Sequence, residues 1–183
     1  NSFRDPDLFK TTPALLGYAV DGMVRTVRGL LALSRLDAGA EPLATERVDL
    51  AAIARDEAAA ARPLAEARGL ALGVHAEGRV LAEGHPDLLR EAVRTLLDNA
   101  IKYTPSGHVA VAVGTRGREA WVAVEDSGPG IAPEHRPLAT DRFWRGADVH
   151  HLPGSGLGLA LADRVARSNG GRLSLDGAEP HGL

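Results

Sequence analysis

A chain of 183 residues with 44% hydrophobic content can bury one medium core and carry an appendage. Its 21 basic and 24 acidic residues leave a net charge of −3 with no long basic run, so nothing in the charge points to nucleic acid as a partner. The absence of cysteine excludes disulfides and thiolate-bound zinc, and no apolar run approaches the length that spans a bilayer.

Residues 1–11 read as irregular. Thr12 before Pro13 marks an N-cap and first helical position. Leu16, Val20, Met23, Val27 and Leu30 then recur at steps of four and three, a heptad-like spacing that runs to about Leu36. That spacing predicts a helix of a hairpin or bundle, although a helix packed on its own domain would show the same pattern. Asp37-Ala38-Gly39-Ala40 stops it and Pro42 follows, which places a domain boundary near residues 39–46.

Residues 46–50 alternate as a short strand, and 51–68, rich in Ala, Glu and Arg, read as a helix ending before Gly69. Residues 70–75 and 79–83 read as strands separated by Glu77-Gly78. His85-Pro86-Asp87 opens a further helix, and 108–115 and 119–126 alternate as strands about a turn at Arg116-Gly117. A Gly- and Pro-rich section covers 127–158. A helix with Leu161 and Val165 among its apolar positions follows, then a Gly170-Gly171 stop and a strand at 172–175. Strands and helices intermingle, which predicts an α+β sandwich rather than a doubly wound parallel sheet.

The helix opened by Pro86 has two faces. Leu89, Ala92, Val93, Leu96, Leu97 and Ala100 form an apolar stripe, while Glu91, Thr95, Asn99, Lys102 and Tyr103 form a polar one. An amide oxygen at Asn99 suits a hard cation such as Mg²⁺, the Lys102 ammonium suits phosphate, and Tyr103 adds a flat ring with a polar tip. A plain amphipathic helix with a solvated polar side explains the stripe equally well.

Two loops add chemistry. Strand 119–126 runs into Asp126-Ser127-Gly128-Pro129-Gly130-Ile131, where a carboxylate at a buried strand end can accept from an exocyclic amine and the glycines admit a flat base. An Asp-capped turn is the simpler alternative. Gly154-Ser155-Gly156-Leu157-Gly158 stands just before a helix, where exposed amides and the helix dipole favour phosphate. It lacks the Gly-Lys-Ser/Thr ending of a P-loop and the preceding strand of a dinucleotide fingerprint. Between the loops, Phe143 and Trp144 either cap the core or anchor a mobile lid over 145–155, with Arg145 available to phosphate. The adjacent His150 and His151 lack a carboxylate framework and read as lid surface rather than metal ligands.

In order along the chain, Asn99-Ala100-Ile101-Lys102-Tyr103-Thr104, Asp126 to Ile131, Arg142-Phe143-Trp144-Arg145 and Gly154 to Leu159 resemble the N, G1, F and G2 boxes of sensor histidine kinases. Those are the ATP-binding domains of two-component systems, related in fold to DNA gyrase and MutL-type ATPases. The likeness covers 46–183, and Leu31 to Gly39 resembles the end of the second helix of the family's dimerisation hairpin. It implies a Bergerat-type (GHKL) α/β sandwich, a mixed sheet covered on one face by helices and preceded by one hairpin helix. Residues 1–42 would be a partial dimerisation segment and 43–183 the catalytic ATP-binding domain.

By the same likeness Asn99 would hold Mg²⁺, Lys102 the phosphates and Asp126 the adenine amino group, with Tyr103 near the nucleotide. Gly128 and Gly130 would shape the base pocket, followed by Ile131 among the ATP-binding residues. Gly154, Ser155, Gly156, Leu157 and Gly158 would form the phosphate loop and lid hinge. The implied activity is transfer of the ATP γ-phosphoryl group to a His for relay to a response-regulator receiver domain. The implied setting is a homodimer, formed when the hairpin is complete, in the cytoplasmic part of a membrane-anchored sensor.

The chain departs from the family at Thr95, where another Asn is common, and at Thr140, where the F box usually begins with an aromatic. All seven His lie at or beyond His75, so the helical segment carries no acceptor His. The chain therefore reads as a fragment beginning after the first hairpin helix, with a degenerate kinase as the alternative. Its end at Leu183 reads as early, since the family usually adds a final strand. A nucleotide-binding dimeric scaffold is a further reading. An ATPase of the same fold is another, though hydrolysis would call for a carboxylate where Thr95 stands.

Overall fold

The computed structural model describes residues 45–146 and 154–177, together with helical Val27, Leu30, Leu31 and Ser34. The rest of the expected first helix, the 39–44 boundary, and residues 147–153 of the expected lid lie outside the described residues.

Strand β1 (Glu46–Asp49) leads directly into helix α1 (Leu50–Ala67) because Asp49 is its N-cap. The backbone at Asp49 is extended, and Oδ1 accepts from the amides of Ala51 at 3.1 Å, Ala52 at 3.4 Å and Val80 at 3.2 Å. Burial alone would raise the Asp49 pKa. The three amides, with Arg79 alongside, outweigh that and hold it below the ordinary carboxylate value. One side chain thus ends the strand a residue earlier than the sequence predicts and starts the helix. Ala51, Ala54, Ala58 and Ala65 are fully buried, so the inner face of α1 lies close against its neighbours. Pro63 interrupts the helix ladder on the exposed side, where water can serve the freed carbonyl.

Strands β2 (Ala71–His75) and β3 (Leu81–Gly84) are consecutive yet belong to different sheets. β3 pairs antiparallel with β1, from Glu46 opposite Gly84 to Asp49 opposite Leu81. β3 begins two residues later than predicted: Val80 is occupied by Asp49 and by its carbonyl, which accepts from Leu50 N at 2.8 Å. Helix α2 (Pro86–Tyr103) then crosses to β4 (His108–Arg116), which runs parallel to β2 and antiparallel to β5 (Glu119–Asp126). The predicted mixed sheet is observed, in the order β2-β4-β5.

Period-two alternation decides the faces of that sheet. Val109, Val111 and Val113 are buried, and Leu72, Val74, Val122 and Val124 pack on the same core from the flanking strands. The opposite face carries Ala110, Ala112 and Gly114, with the Trp121 indole so close over Gly114 that an added Cβ would lie 2.6 Å from it. Among the described residues, the helices pack on the valine side. Val93, Leu97, Ala100 and Ile101 of α2 are buried there. A smaller cluster of Leu157, Leu161 and Val165 joins α3 (Gly158–Ser168) to Leu88, Leu89 and Ala92.

The predicted strand at 172–175 is not formed. Leu173 and Leu175 are half-buried and alternate with exposed Arg172, Ser174 and Asp176, so the side-chain pattern of a strand is present. No ladder partner stands beside them among the described residues, and an isolated strand has no hydrogen bonds to define it.

A charge network ties α1 to α2. Glu57 is 4% exposed and accepts from Arg90 Nη1 at 3.0 Å and Arg94 Nε at 2.8 Å. Hydrogen bonds donated to Glu57 raise the pKa of both guanidiniums, against a smaller opposing effect of burial. Removing the charge while keeping the shape should leave two arginines converging on a neutral amide. We expect Glu57→Gln to lower the unfolding free energy by about 1–3 kcal/mol, the low end for a broken buried pair because both arginines remain partly solvated. Chemical denaturation with an unchanged m value is the measurement, and a shift below about 0.5 kcal/mol would contradict the assignment.

Candidate functional site

The end of β5 and the end of α2 meet. Alternation along β5 places Asp126 on the helix-covered side, opposite fully buried Val109, and the carboxylate is only 9% exposed. Its Oδ1 accepts from Gly128 N at 2.8 Å and lies 3.4 Å from Thr104 Oγ1. The Thr104 hydroxyl has one hydrogen and a much closer acceptor, the Ala100 carbonyl at 2.7 Å, so its approach to Asp126 is chiefly packing. A Cβ on Gly128 would stand 2.7 Å from Asp126 Oδ1 and 3.0 Å from the Tyr103 carbonyl. The loop therefore passes directly over both strand end and helix end, and only glycine fits there.

The polar stripe of α2 is only partly solvated. Glu91, Thr95, Asn99, Lys102 and Tyr103 are each half-buried, and the glycine loop and the start of α3 lie against the last four. A Cβ on Gly158 would stand 2.8 Å from Asn99 Nδ2 and 2.9 Å from Thr95 Cγ2. One on Gly154 would overlap Lys102 Nζ and come within 3.6 Å of Tyr103 Oη. Lys102 Nζ donates to Tyr103 Oη at 2.6 Å. At 4.1 Å from the ring centroid, with that hydroxyl contact, the ammonium sits toward the hydroxyl rim rather than over the ring face. It is a charge-assisted hydrogen bond. Burial raises the Tyr103 pKa and nearby Arg145 pulls it back only in part, so the phenol stays protonated at neutral pH.

Helix α3 starts without a side-chain cap, since its N-cap is Leu157. First-turn amides therefore have no side-chain acceptor there, a donor set suited to an anion. The Leu157 side chain is 3% exposed and packs with Leu161 and Val165, so any contribution to the cleft comes from its backbone.

The backbone forms a narrow neck where residues 143–144 meet Gly156. Phe143 N donates to Gly156 O at 2.9 Å, and both residues have positive φ, 66° and 69°. An added Cβ at Gly156 would stand 2.6 Å from Phe143 C and 2.7 Å from Trp144 O. The Phe143 ring is 62% exposed, so it does not cap the core. Trp144 is half-buried, with its ring 6.0 Å from that of His135. On the opposite wall Gly130 has φ of 69°, and Arg136 Nε donates to the Ile131 carbonyl at 3.0 Å.

One open cleft is lined by Asn99, Lys102, Tyr103, Asp126, Gly130, Ile131, Arg145 and the 154–158 loop, with Gly128 buried beneath it. Four stretches separated by up to 60 residues are thereby brought together. Sequence reasoning missed Thr104 and Arg136 as supports. Thr104 stands directly before Pro105, which disfavours helix at the preceding residue, so it was legible as the helix end; Arg136 had no signal. No grouping of three or more metal-binding side chains of the His, Asp or Glu type occurs among the described residues.

Residues 84–183 match the family described as histidine kinase-, DNA gyrase B-, and HSP90-like ATPase. The histidine-protein kinase/phosphatase MprB of Mycobacterium bovis is 34% identical over 168 residues, covering 89% of this chain and 32% of that protein. Its Mycobacterium avium counterpart is 43% identical over 96 residues, 51% of this chain and 18% of that protein. The chain thus spans about a third or less of the length of these relatives. Among solved structures, a mycobacterial sensor histidine kinase MprB is 32% identical with a TM-score of 0.65, over 76% of this chain and 92% of that one. Full-length ShkA, solved in complex with AMPPNP, is 25% identical with a TM-score of 0.77, over 100% of this chain and 38% of that one.

The neck generates an expectation about Gly156. A methyl group there would meet backbone atoms in a left-handed conformation, which should cost about 1–3 kcal/mol. Gly156→Ala should therefore speed hydrogen exchange at the Phe143 amide roughly tenfold or more. Unchanged protection at Phe143 would mean the neck is not held as described.

Proposed function

Because the chain belongs to the histidine kinase-, DNA gyrase B-, and HSP90-like ATPase family, and within it to the sensor histidine kinases, we propose that its cleft binds ATP with Mg²⁺ and presents the γ-phosphoryl group to a histidine. The observation that carries this is the buried Asp126 carboxylate beside the half-buried Asn99-to-Tyr103 face and a glycine loop running into an uncapped helix start. Gly128, Gly154 and Gly158 lie so close to Asp126, Lys102 and Asn99 that a Cβ would collide with them, which keeps the loop backbone beside the groups that would meet a base, phosphates and a metal.

In this reading Asp126 accepts from the adenine amino group, in surroundings dry enough to make a mismatched base costly. Lys102 and the first-turn amides of α3 receive phosphate charge, and Arg145, which lines the same cleft, adds a guanidinium to that wall. Asn99 offers the metal ligand. Bound ATP supplies the group to be transferred; the chain's own task is to hold it in line and keep water away. Thr95 packs against Gly158 where a water-activating carboxylate would be needed, which disfavours hydrolysis as the main activity.

The remaining assignments follow the family. Residues 43–183 act as the catalytic domain and 1–42 as part of a dimerisation hairpin, for which exposed Val27, Leu30 and Leu31 supply apolar surface. The receiver domain of a response regulator takes the phosphoryl group onward. AMPPNP bound to ShkA supports the nucleotide, and the name of the MprB relatives, signal transduction histidine-protein kinase/phosphatase, supports the transfer to histidine; the cytoplasmic, membrane-anchored setting follows the family resemblance alone. No helix among the described residues is long and apolar enough to cross a membrane.

Calorimetry of Mg²⁺-ATP binding tests the site. Asp126→Asn should weaken affinity by on the order of 1.5–3 kcal/mol, while Asn99→Ala should chiefly abolish the gain on adding Mg²⁺. Unchanged binding in both would sink the assignment. With γ-labelled ATP, the 183-residue chain alone should acquire no stoichiometric acid-labile label, because its helical segment lacks His. Adding a hairpin domain that carries an acceptor His should restore transfer. High labelling of the chain by itself would refute the placement of the acceptor.

A further inference from the structure

Helix α2 ends inside the nucleotide cleft, and a helix end leaves four carbonyls without intrahelical partners. Here Ala100 O accepts from the amide of Thr104 at 3.1 Å and from its hydroxyl at 2.7 Å, and Tyr103 O lies beneath Gly128. The two carbonyls between them are served from outside the helix. Arg68 Nη1 donates to Ile101 O at 3.1 Å and to Lys102 O at 3.2 Å. A guanidinium nitrogen carries two hydrogens in a fixed plane and can reach both carbonyls at once, and its charge opposes the negative end of the helix dipole.

Topology puts Arg68 there. It follows the last residue of α1, and its own amide donates to Ala65 O at 3.0 Å. Gly69, with φ of 70°, turns the chain back while Leu70 N donates to Ala65 O at 2.9 Å. Ala71 N then donates to Gly107 O at 3.1 Å, because β2 runs parallel to β4 from Ala71 opposite His108. The end of α1 is thereby pinned beside the end of α2 before any side chain is considered.

Building on the ATP-binding reading above, we propose that Arg68 is a positioning residue of the nucleotide site. It holds the last turn of α2, and so the Lys102 ammonium and Tyr103 hydroxyl, in register with the glycine loop at Gly154. Arg68 acts through the backbone of the residue whose side chain meets the phosphates. Its loss should therefore be felt by phosphate-bearing ligands and not by the base.

The test compares the wild-type chain with Arg68→Ala and Arg68→Lys. Calorimetry with Mg²⁺-ATP should show Arg68→Ala weakened about fivefold, the size of a lost cation at a partly buried helix C-terminus. Adenosine, followed by NMR titration, should bind both proteins alike, since recognition of its base runs through Asp126. Arg68→Lys, which keeps the charge and one donor group, should recover much of the ATP affinity. Exchange at the Thr104 amide should accelerate in Arg68→Ala alone. Unaltered ATP affinity in Arg68→Ala would overturn the proposal, as would parallel losses for ATP and adenosine with a lowered melting temperature, the mark of a merely structural role. A wild-type chain that binds neither ligand would overturn the ATP-binding reading itself, a result distinguishable from the other two.

Discussion

The seam between α2 and β4 fixes the rotation of the helix that carries the site. Leu97, Ile101, Val109 and Val111 are essentially inaccessible to water there. Each such side chain contributes about 1.5–3 kcal/mol on burial, an upper estimate because unfolded chains already bury part of it. Successive helix residues are 100° apart, so turning α2 enough to expose Asn99 would expose Leu97 and Ile101 as well. With the apolar stripe held against the valines, Thr95, Asn99 and Lys102 have one place to face, the start of α3 and its glycine loop. The cleft-facing side of the helix is a consequence of the other side's burial.

Strand alternation does the same for Asp126. The period that sends Val122 and Val124 into the core also sends the last residue of β5 inward, where a charge is costly unless donors are supplied. The amide of Gly128 supplies one because the chain turns tightly over the carboxylate. A one-residue slip in the β4–β5 register would carry Asp126 to the face of Ala110 and Trp121 and dissolve the site. The hairpin at Arg116-Gly117 is thus part of the site's specification, although it lies at the far end of the strands.

Helix ends are where this chain joins its elements. Asp49 caps α1 and holds Val80 of the neighbouring connection, while Arg68 at the other end of α1 reaches the last carbonyls of α2. Midway, buried Glu57 draws Arg90 and Arg94 together. These ties run between helices or between a helix and a loop, so the two helices on the valine face cannot slide past one another without breaking charge-assisted bonds. Charge-assisted bonds therefore hold the two helices that carry one wall of the candidate cleft.

Most of the elements follow from the residues themselves. Period-two runs specify β4 and β5, the stripe from Leu89 to Ala100 specifies α2, and the residue sets around Asn99, Asp126 and Gly154 already pointed to a base, a cation and phosphates. These are local properties: side-chain periodicity, backbone freedom at glycine, and donor or acceptor type. Local properties could not decide partners. Whether the polar face of α2 is solvated, whether residues 172–175 find a ladder, and whether Phe143 is buried all depend on what another stretch brings alongside. The supports furthest from the site in sequence, Arg68 and Glu57, read as ordinary charges on an alanine-rich helix. Only the packing of α1 against α2 gives them partners, because an ion pair or a carbonyl cap exists through distance, and distance between remote residues is set by the fold.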